Sequence, residues 1–459
     1  MRCRSPATIW HWQWGNNKHP PLFGWIVAAW FAVFPATDNA YYLLNETNLA
    51  VTLFLLALAL RRVLTAEQTL AAIVLTTLMA QFGLDSGFKY NANTALLPFI
   101  AGGVWALLKA LQDKRLPYFA VAGLFAGAAV LCKYYALIIL PVIGLVVAFQ
   151  LRPAWPVLIK GGLLSGAATL LLVMPHVLWS QQHGWPSLHY MHEAHEILSL
   201  TETLKTYGMT LYGGLLFSSI AVTVWGLSLI RLPRRAVPLA SSYIGVSILA
   251  GSILLTLLAS WIADVTPAAS WLIPALLFLG WALMDVTPAM FNRQQQARRI
   301  LVLGLSCLAL SLVVAAGLEL RQSAYPAPDF VSRQQHLAAD VTRLYHQTYH
   351  RPVTYVAGTW PLPYAMAFYS PDHPAGLNAL DLATSYWIDP AALRHGNRAV
   401  ICGSERVFKE PEPSCCKQAE ALFGAPDKKV LQSYSVYDPK TKRLGTQNYH
   451  VLFWRPGRL

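Results

Sequence analysis

The chain has 459 residues, 55% of them hydrophobic and only 12% charged, with a formal net charge of +13. Soluble proteins carry roughly 25% charged residues, so a purely aqueous globule is excluded and a membrane protein is indicated. The basic residues sit in short clusters between apolar runs, as the inside loops of a membrane protein require, which argues against nucleic acid as a partner.

Sixteen Trp and twenty Tyr suit membrane interfaces, where amphipathic rings settle at headgroup level. Met1 to Trp14 lacks the apolar core of a cleavable leader. Phe23–Phe34 is apolar but short for a crossing, and is expected to lie along the outer interface. Leu49–Leu60 ends in Arg61-Arg62. Gln68–Leu84 crosses back towards Asp85 and Lys89, and Thr94–Leu111 returns to Lys109, Lys114 and Arg115. Pro156–Trp179 runs outward to a polar stretch, His183–Lys205, and Tyr207–Ile230 returns to Arg231, Arg234 and Arg235. Leu239–Ala263 leads to Asp264, Ala268–Met284 comes back to Arg293, Arg298 and Arg299, and Ile300–Leu318 crosses last. With about ten apolar segments assigned to alternate sides, one side carries roughly thirteen Lys/Arg in its short loops and the other about three. The basic loops are therefore expected in the cytoplasm and the C-terminal region outside.

Pro117–Leu151 does not fit a single crossing. It lies between Arg115 and Arg152 and has Lys133 near its middle. Two helices of about 15–18 residues would each reach only ~22–27 Å against a ~30 Å hydrocarbon core. The spacing predicts two short helices whose apex, Cys132-Lys133-Tyr134, stops below the outer surface. A lysine at such depth costs about 2.5–3.5 kcal/mol on insertion scales. It either faces an aqueous cavity and an anionic partner or snorkels to the interface.

Beyond Glu319 the apolar runs shorten and charges mix. Strands are expected at Val353–Ala357, Arg398–Cys402, Val430–Tyr437 and Tyr449–Trp454, with helices at Phe330–Tyr349, Leu362–Tyr369 and Ser414–Phe423. The expected fold class is mainly α: a polytopic transmembrane helical bundle with a small C-terminal periplasmic α/β domain. The expected divisions are 1–45 (periplasmic loop and interfacial helix), 46–319 (transmembrane helical domain) and 320–459 (periplasmic α/β domain). Of the six cysteines, Cys132 and Cys307 lie in apolar runs and read as small core hydrophobes. Cys402 is placed to pair with Cys415 or Cys416 in an oxidising compartment.

Polar residues crowd the outer face. Lys18 and His19 precede Pro20-Pro21. Lys89, Tyr90, Asn91 and Asn93 form the second outer loop, and Lys133 comes from the buried apex. The third outer loop supplies His176, Trp179, His192, Glu193, His195 and Glu196. Several cations with imidazoles and amides at one membrane face suit an anionic lipid headgroup such as a phosphate. The donor and phosphate-binding candidates are thus Lys18, His19, Lys89, Lys133, His192 and His195. The cavity-lining candidates are Tyr90, Asn91, Asn93, His176 and Trp179. His192 and His195 with their glutamates could also ligate a divalent metal, but i, i+3 spacing alone is a weak signal, and no cofactor is required.

Four runs together, Gly15-Asn16-Asn17-Lys18-His19-Pro20-Pro21-Leu22, Lys89-Tyr90-Asn91-Ala92-Asn93-Thr94, Gly127 through Tyr134, and Pro175-His176 through Trp179, resemble the polyprenyl-phosphate-sugar-dependent glycosyltransferases. That superfamily includes protein O-mannosyltransferases and bacterial lipid A aminoarabinose transferases. The resemblance covers roughly residues 8–320, and Ala367-Phe368-Tyr369 and Tyr386 through Pro390 are also similar to bacterial members. It implies a bacterial inner-membrane enzyme that moves a sugar, with inversion, from a polyprenyl-phosphate carrier to an envelope glycan, lipid or protein acceptor at the periplasmic face. It further implies that Lys18 and His19 contact the carrier phosphate, that Lys133 matches a lysine of the short-helix apex, and that Asn93 stands where many relatives carry an acidic residue.

The resemblance places a catalytic Asp before the Pro-Pro motif, after a first transmembrane helix. In this sequence that position falls at or before Met1, and Asp38 is the first acidic residue. The catalytic residue is thus unassigned, with Asp85 and Glu193 as weak substitutes, and the 459-residue form is expected not to transfer sugar by itself. The alternatives are a transporter of lipid-linked glycans and a non-catalytic membrane scaffold.

Overall fold

The structure is a computed structural model that describes residues 12–79, 90–193, 199–233, 243–287, 291–323, 330–377, 380–403, 413–438 and 443–455. The chain separates into two compact units. One comprises Lys18–Phe23 and Tyr41–Gly317, the other Met1–Asn17, Gly24–Ala40 and Leu318–Leu459.

The larger unit is helical; Leu22–Phe31 belongs to it only up to Phe23 and otherwise to the second unit. In chain order the helices are α1 (Leu22–Phe31), α2 (Asp38–Leu60), α3 (Ala66–Thr77), α4 (Ala92–Ala95), α5 (Leu97–Gln112), α6 (Pro117–Cys132), α7 (Ala136–Leu151), α8 (Trp155–Gln182), α9 (Pro186–Glu193), α10 (Leu200–Leu229) and α11 (Ile244–Ile262). A 3-10 turn (Ala269–Leu272), α12 (Ile273–Leu276), α13 (Leu279–Asp285) and α14 (Arg293–Ser323) follow. Among the described residues six spans are long and apolar enough to cross a bilayer: Asp38–Leu60, Ala92–Gln112, Trp155–Gln182, Leu200–Leu229, Ile244–Ile262 and Arg293–Gly317. α6 and α7 have 16 residues each, about 24 Å at 1.5 Å per residue. The expected pair of short helices is present, with Lys133 between them.

Two expected spans differ. α2 begins at Asp38, well before Leu49, because Asn45 and Asn48 of its first half point inward. Buried Asn48 donates from Nδ2 to the Thr94 carbonyl at 2.8 Å, and Thr52 Oγ1 donates to the Asn48 carbonyl at 2.7 Å. Ala268–Met284 is not one continuous helix but a 3-10 turn and two short helices. Pro274 lacks the N–H that would continue the helix from the preceding turn. The segment is tightly enclosed: a Cβ on Gly280 would lie 2.0 Å from the Ala72 carbonyl oxygen, so only glycine permits α13 to approach α3 this closely.

The second unit holds a five-stranded sheet, ordered β2-β1-β3-β5-β4, from β1 (Tyr355–Gly358), β2 (Ala375–Gly376), β3 (Arg398–Gly403), β4 (Lys428–Asp438) and β5 (Arg443–Trp454). β1 pairs in parallel with β2 and β3, and β5 pairs antiparallel with β3 and β4. Side chains alternate between faces, as a strand's two-residue period demands. Ala399, Ile401, Val451 and Phe453 pack under α15 (Phe330–Tyr349) and α16 (Leu362–Tyr369), with Leu337, Val341, Tyr345 and Met366. Val400, Cys402, Leu452 and Trp454 face the other way. They meet Leu393 of α17 (Pro390–His395) and Cys415, Ala419 and Phe423 of α18 (Pro413–Phe423). A disulfide joins Cys402 to Cys415, which resolves the pairing left open by the sequence, and Cys416 is the remaining thiol. In the same unit the Asp38 carboxylate accepts from the Tyr369 hydroxyl at 2.8 Å and from Gln335 Nε2 at 3.1 Å. The Tyr434 hydroxyl donates to Asp340 at 2.7 Å. Burial first, and then the Asp340 carboxylate, push that phenol above its ordinary range.

Candidate functional site

The site lies wholly within the helical unit, where α4 and α7 begin and α6 and α8 end. α4 starts with a capping box: Asn91 Oδ1 accepts from the Asn93 backbone N–H at 2.8 Å, and Thr94 Oγ1 accepts from the Asn91 N–H at 3.0 Å. This satisfies donors that a helix N-terminus otherwise leaves open, and it holds the Asn93 backbone at the first turn. Asn93 Oδ1 in turn accepts a hydrogen bond from Lys133 Nζ. Lys133 ends α6 in an extended conformation and is half-buried. Its ammonium also lies 5.4 Å from the centroid of the Trp271 ring. The amide oxygen and the indole face are both neutral, so these two contacts hold the cation in place without cancelling its charge.

Lys18 lies close enough to Lys133 for their charges to repel, and its Nζ sits 4.8 Å from the Tyr190 ring centroid of α9. His19 packs edge-on against Phe23 at 6.5 Å. Phe23 stacks on buried Tyr90 at 5.5 Å, and the Tyr41 hydroxyl donates to the Tyr90 carbonyl at 2.5 Å. The Tyr90 hydroxyl itself is buried without a hydrogen-bond partner among the described residues. On the α8 side His176, 1% exposed, bonds through Nε2 to the Tyr134 hydroxyl at 2.7 Å. Ring stacking continues from Tyr134 to His176, Trp179 and His183, with centroids 5.8, 6.2 and 4.4 Å apart.

Of the residues singled out in the sequence, the structure therefore brings together Lys18, Lys133 and Asn93, with Asn91 orienting Asn93. It places Tyr90 with Phe23 and Tyr41, and His176 and Trp179 in one stacked column with Tyr134. Asp85, Lys89, His195 and Glu196 lie outside the described residues. The backbone of His192 and Glu193 belongs to α9, and their side chains lie outside the description. Among the described residues no group of three His, Cys, Asp or Glu is placed to hold a metal ion. Trp271 and the partnership of Tyr190 with Lys18 escaped the sequence reading. The signal for Trp271 was faint: one aromatic between Pro267 and Pro274, in a segment that reads as an ordinary crossing.

Such a cluster suits a phosphate. Two ammonium groups supply charge, an amide and an imidazole can supply hydrogen bonds, and a column of flat rings offers stacking surface.

Residues 18–179 match the family described as dolichyl-phosphate-mannose-protein mannosyltransferase. The fold is similar to that of ArnT from Cupriavidus metallidurans bound to undecaprenyl phosphate, with TM-score 0.55 and 12% identity, covering 96% of this chain and 91% of that one. It is likewise similar to ArnT from the same organism in the apo state, with TM-score 0.53 and 12% identity, covering 97% and 91%. No curated protein sequence matches. The likeness read from the four motifs is thus supported by sequence over residues 18–179 and by fold over nearly the whole chain. The multi-pass, mainly helical architecture with a small C-terminal sheet is an ArnT-like fold.

Proposed function

We propose that this protein is a membrane glycosyltransferase that takes a sugar from a polyprenyl-phosphate carrier. Delivery would be to an envelope glycan, lipid or protein acceptor at the periplasmic face of a bacterial inner membrane. The observation that carries this reading is Lys133, a cation at the apex between two short helices that is held by the Asn93 amide oxygen and the Trp271 indole face. A cation at that depth is costly, and an anion bound beside it recovers the cost. The fold shared with an ArnT that binds undecaprenyl phosphate supports the carrier class, and the family match over residues 18–179 supports a lipid-phosphate sugar donor. The excess of basic residues in the loops at the opposite helix ends supports the periplasmic assignment.

In this reading Lys133 and Lys18 bind the carrier phosphate and stabilise the negative charge that grows on it as the sugar–phosphate bond breaks. Asn93 holds the Lys133 ammonium in place, and Asn91 holds Asn93. Tyr134 and His176 fix the mouth of α8 beside them. Inverting transfer also needs a carboxylate to take the acceptor proton. Asp38 is not assigned that role, because it is already engaged by Tyr369 and Gln335. The test is binding of undecaprenyl phosphate to purified protein, followed by transfer from lipid-linked sugars to extracted envelope acceptors. Saturable carrier binding that competes with a lipid-linked sugar is expected, and absence of carrier binding would overturn the reading.

A second reading, a transporter of lipid-linked glycans, draws on the broken segment from Ala269 to Asp285, since interrupted helices line the binding sites of many transporters. Movement of a labelled lipid-linked sugar across vesicles without any acceptor would favour it.

A further inference from the structure

The opposite helix ends hold a second cationic site that the transfer reaction does not use. A groove of about 390 Å³ is lined by Gln295, Arg298, Arg299, Val302 and Leu303 near the start of α14. Its two arginines are set differently. Arg299 is fixed to the end of α10: Nη1 donates to the Ile230 carbonyl at 2.6 Å and the Ser228 carbonyl at 3.4 Å. Arg298 is exposed, 66% at its side chain, and meets Glu67 of α3 with Nη2 3.0 Å from Oε1. Hydrogen bonds from Gln294 and then Arg298 hold the Glu67 carboxyl below its ordinary value. Arg299 Nη2 also reaches the Arg231 carbonyl at 3.5 Å. Two guanidinium groups thus line the groove, one of them paired with a carboxylate. One turn along α14 the surface becomes aliphatic, with Val302 67% and Leu305 55% exposed.

Cationic groups at one level and bare aliphatic surface at the next match the two halves of a phospholipid. We propose that this groove binds an anionic diacyl phospholipid, its phosphodiester on Arg298 and Arg299 and one acyl chain along Val302 and Leu303. Guanidinium offers paired N–H donors to phosphate oxygens, and basic pockets at helix ends beside a bilayer favour anionic over zwitterionic headgroups. Glu67 is the internal competitor: it occupies Arg298 when lipid is absent and opposes the phosphate when lipid is present.

That competition gives two variants with opposite signs. Apparent affinity for phosphatidylglycerol and for phosphatidylcholine is measured by native mass spectrometry of the full chain in detergent. Arg298→Gln should weaken phosphatidylglycerol binding by about fivefold, the worth of one juxtamembrane cation. Glu67→Gln should strengthen it, and neither should alter phosphatidylcholine. Arg298 is exposed, so its replacement leaves the fold intact, and an unchanged unfolding midpoint verifies this. Soluble glycerol phosphate should not displace the lipid, because it lacks the acyl chain. Equal affinity for the two lipids, an unchanged Arg298→Gln, a weakened Glu67→Gln, or displacement by glycerol phosphate would each overturn the proposal.

Discussion

The two ends of the helical unit handle positive charge in opposite ways. Where α6 ends, the Lys133 ammonium is held by an amide oxygen and an indole face. At the other end, Arg62 meets Asp113, Arg298 meets Glu67, and Arg299 is spread over helix-terminal carbonyls. A cation balanced by a carboxylate or by a helix C-terminus fastens elements together, and another anion must compete with that partner to bind it. A cation held by neutral groups keeps its charge for something that arrives later. The difference teaches that chemical partner, more than the number of basic residues, distinguishes a lysine whose charge is open to an anion from an arginine that already has one.

The largest effect should come from removing the charge at Lys133. Lys133→Met keeps the length of the side chain without its charge, so insertion and unfolding should be unchanged, while undecaprenyl-phosphate binding falls on the order of a hundredfold, as for loss of one partner of a desolvated charge pair. Unchanged carrier binding in that variant would reduce Lys133 to a snorkelling residue and erase the contrast between the two ends.

Asp285 tests the converse, a buried carboxyl group whose contacts are structural. Its Oδ2 accepts from the Gly245 N–H at 2.7 Å and the Val246 N–H at 3.3 Å, and so caps α11. Asp285→Ala should cost about 1–3 kcal/mol of stability by stranding buried donors, with undecaprenyl-phosphate affinity preserved. Asp285→Asn, which keeps an acceptor, should lose less. A selective loss of carrier binding, with the unfolding midpoint unmoved, would show that this end takes part in the donor site.

His176→Phe should have a smaller effect. It keeps the stacked column and deletes the bond from Tyr134, so about 1 kcal/mol is at stake and carrier affinity should change less than tenfold. Tyr134→Phe should lose at least as much, because the Tyr134 hydroxyl also meets Ser180 and Ser187. If His176→Phe fell far more than Tyr134→Phe, His176 would have a role beyond orienting Tyr134.

Much of this was readable from the residues alone, for physical reasons. Pro117–Leu151 was too short for two full crossings and too long for one, which forces an apex and places Lys133 at it. The strand pattern of the C-terminal unit was legible because Arg398–Cys402 and Tyr449–Trp454 are apolar on both faces, as strands covered on both sides must be. Apolarity misled where polar groups are satisfied inside the bundle. Asn45 and Asn48 hid the first half of α2, and the aliphatic run around Pro274 hid the break before α13. Trp271 could not have been paired with Lys133 from spacing, since the contact arises from packing between segments distant in the chain. Cys415 and Cys416 are adjacent, so only the direction each side chain takes from α18 decides which one reaches Cys402.

The smallest effect should come from the Arg62–Asp113 pair, and its smallness matters to the comparison. Arg62 joins the end of α2 to the end of α5 through Asp113 and through Gln112, whose Oε1 accepts from Nε at 2.8 Å while its Nε2 returns a bond to the Arg62 carbonyl at 3.2 Å. Both charged side chains are about a third exposed, 27% and 31%. Water therefore competes for each, salt screens the attraction, and long side chains lose freedom when held. A double-mutant cycle of Arg62→Gln and Asp113→Asn, read from unfolding of the purified protein, should give a coupling below about 1 kcal/mol that shrinks further at high salt. Carrier affinity should not respond. A salt-insensitive coupling of several kcal/mol would mean that water is kept from this end as well, and the contrast between an uncompensated cation at one end and screened ion pairs at the other would fail.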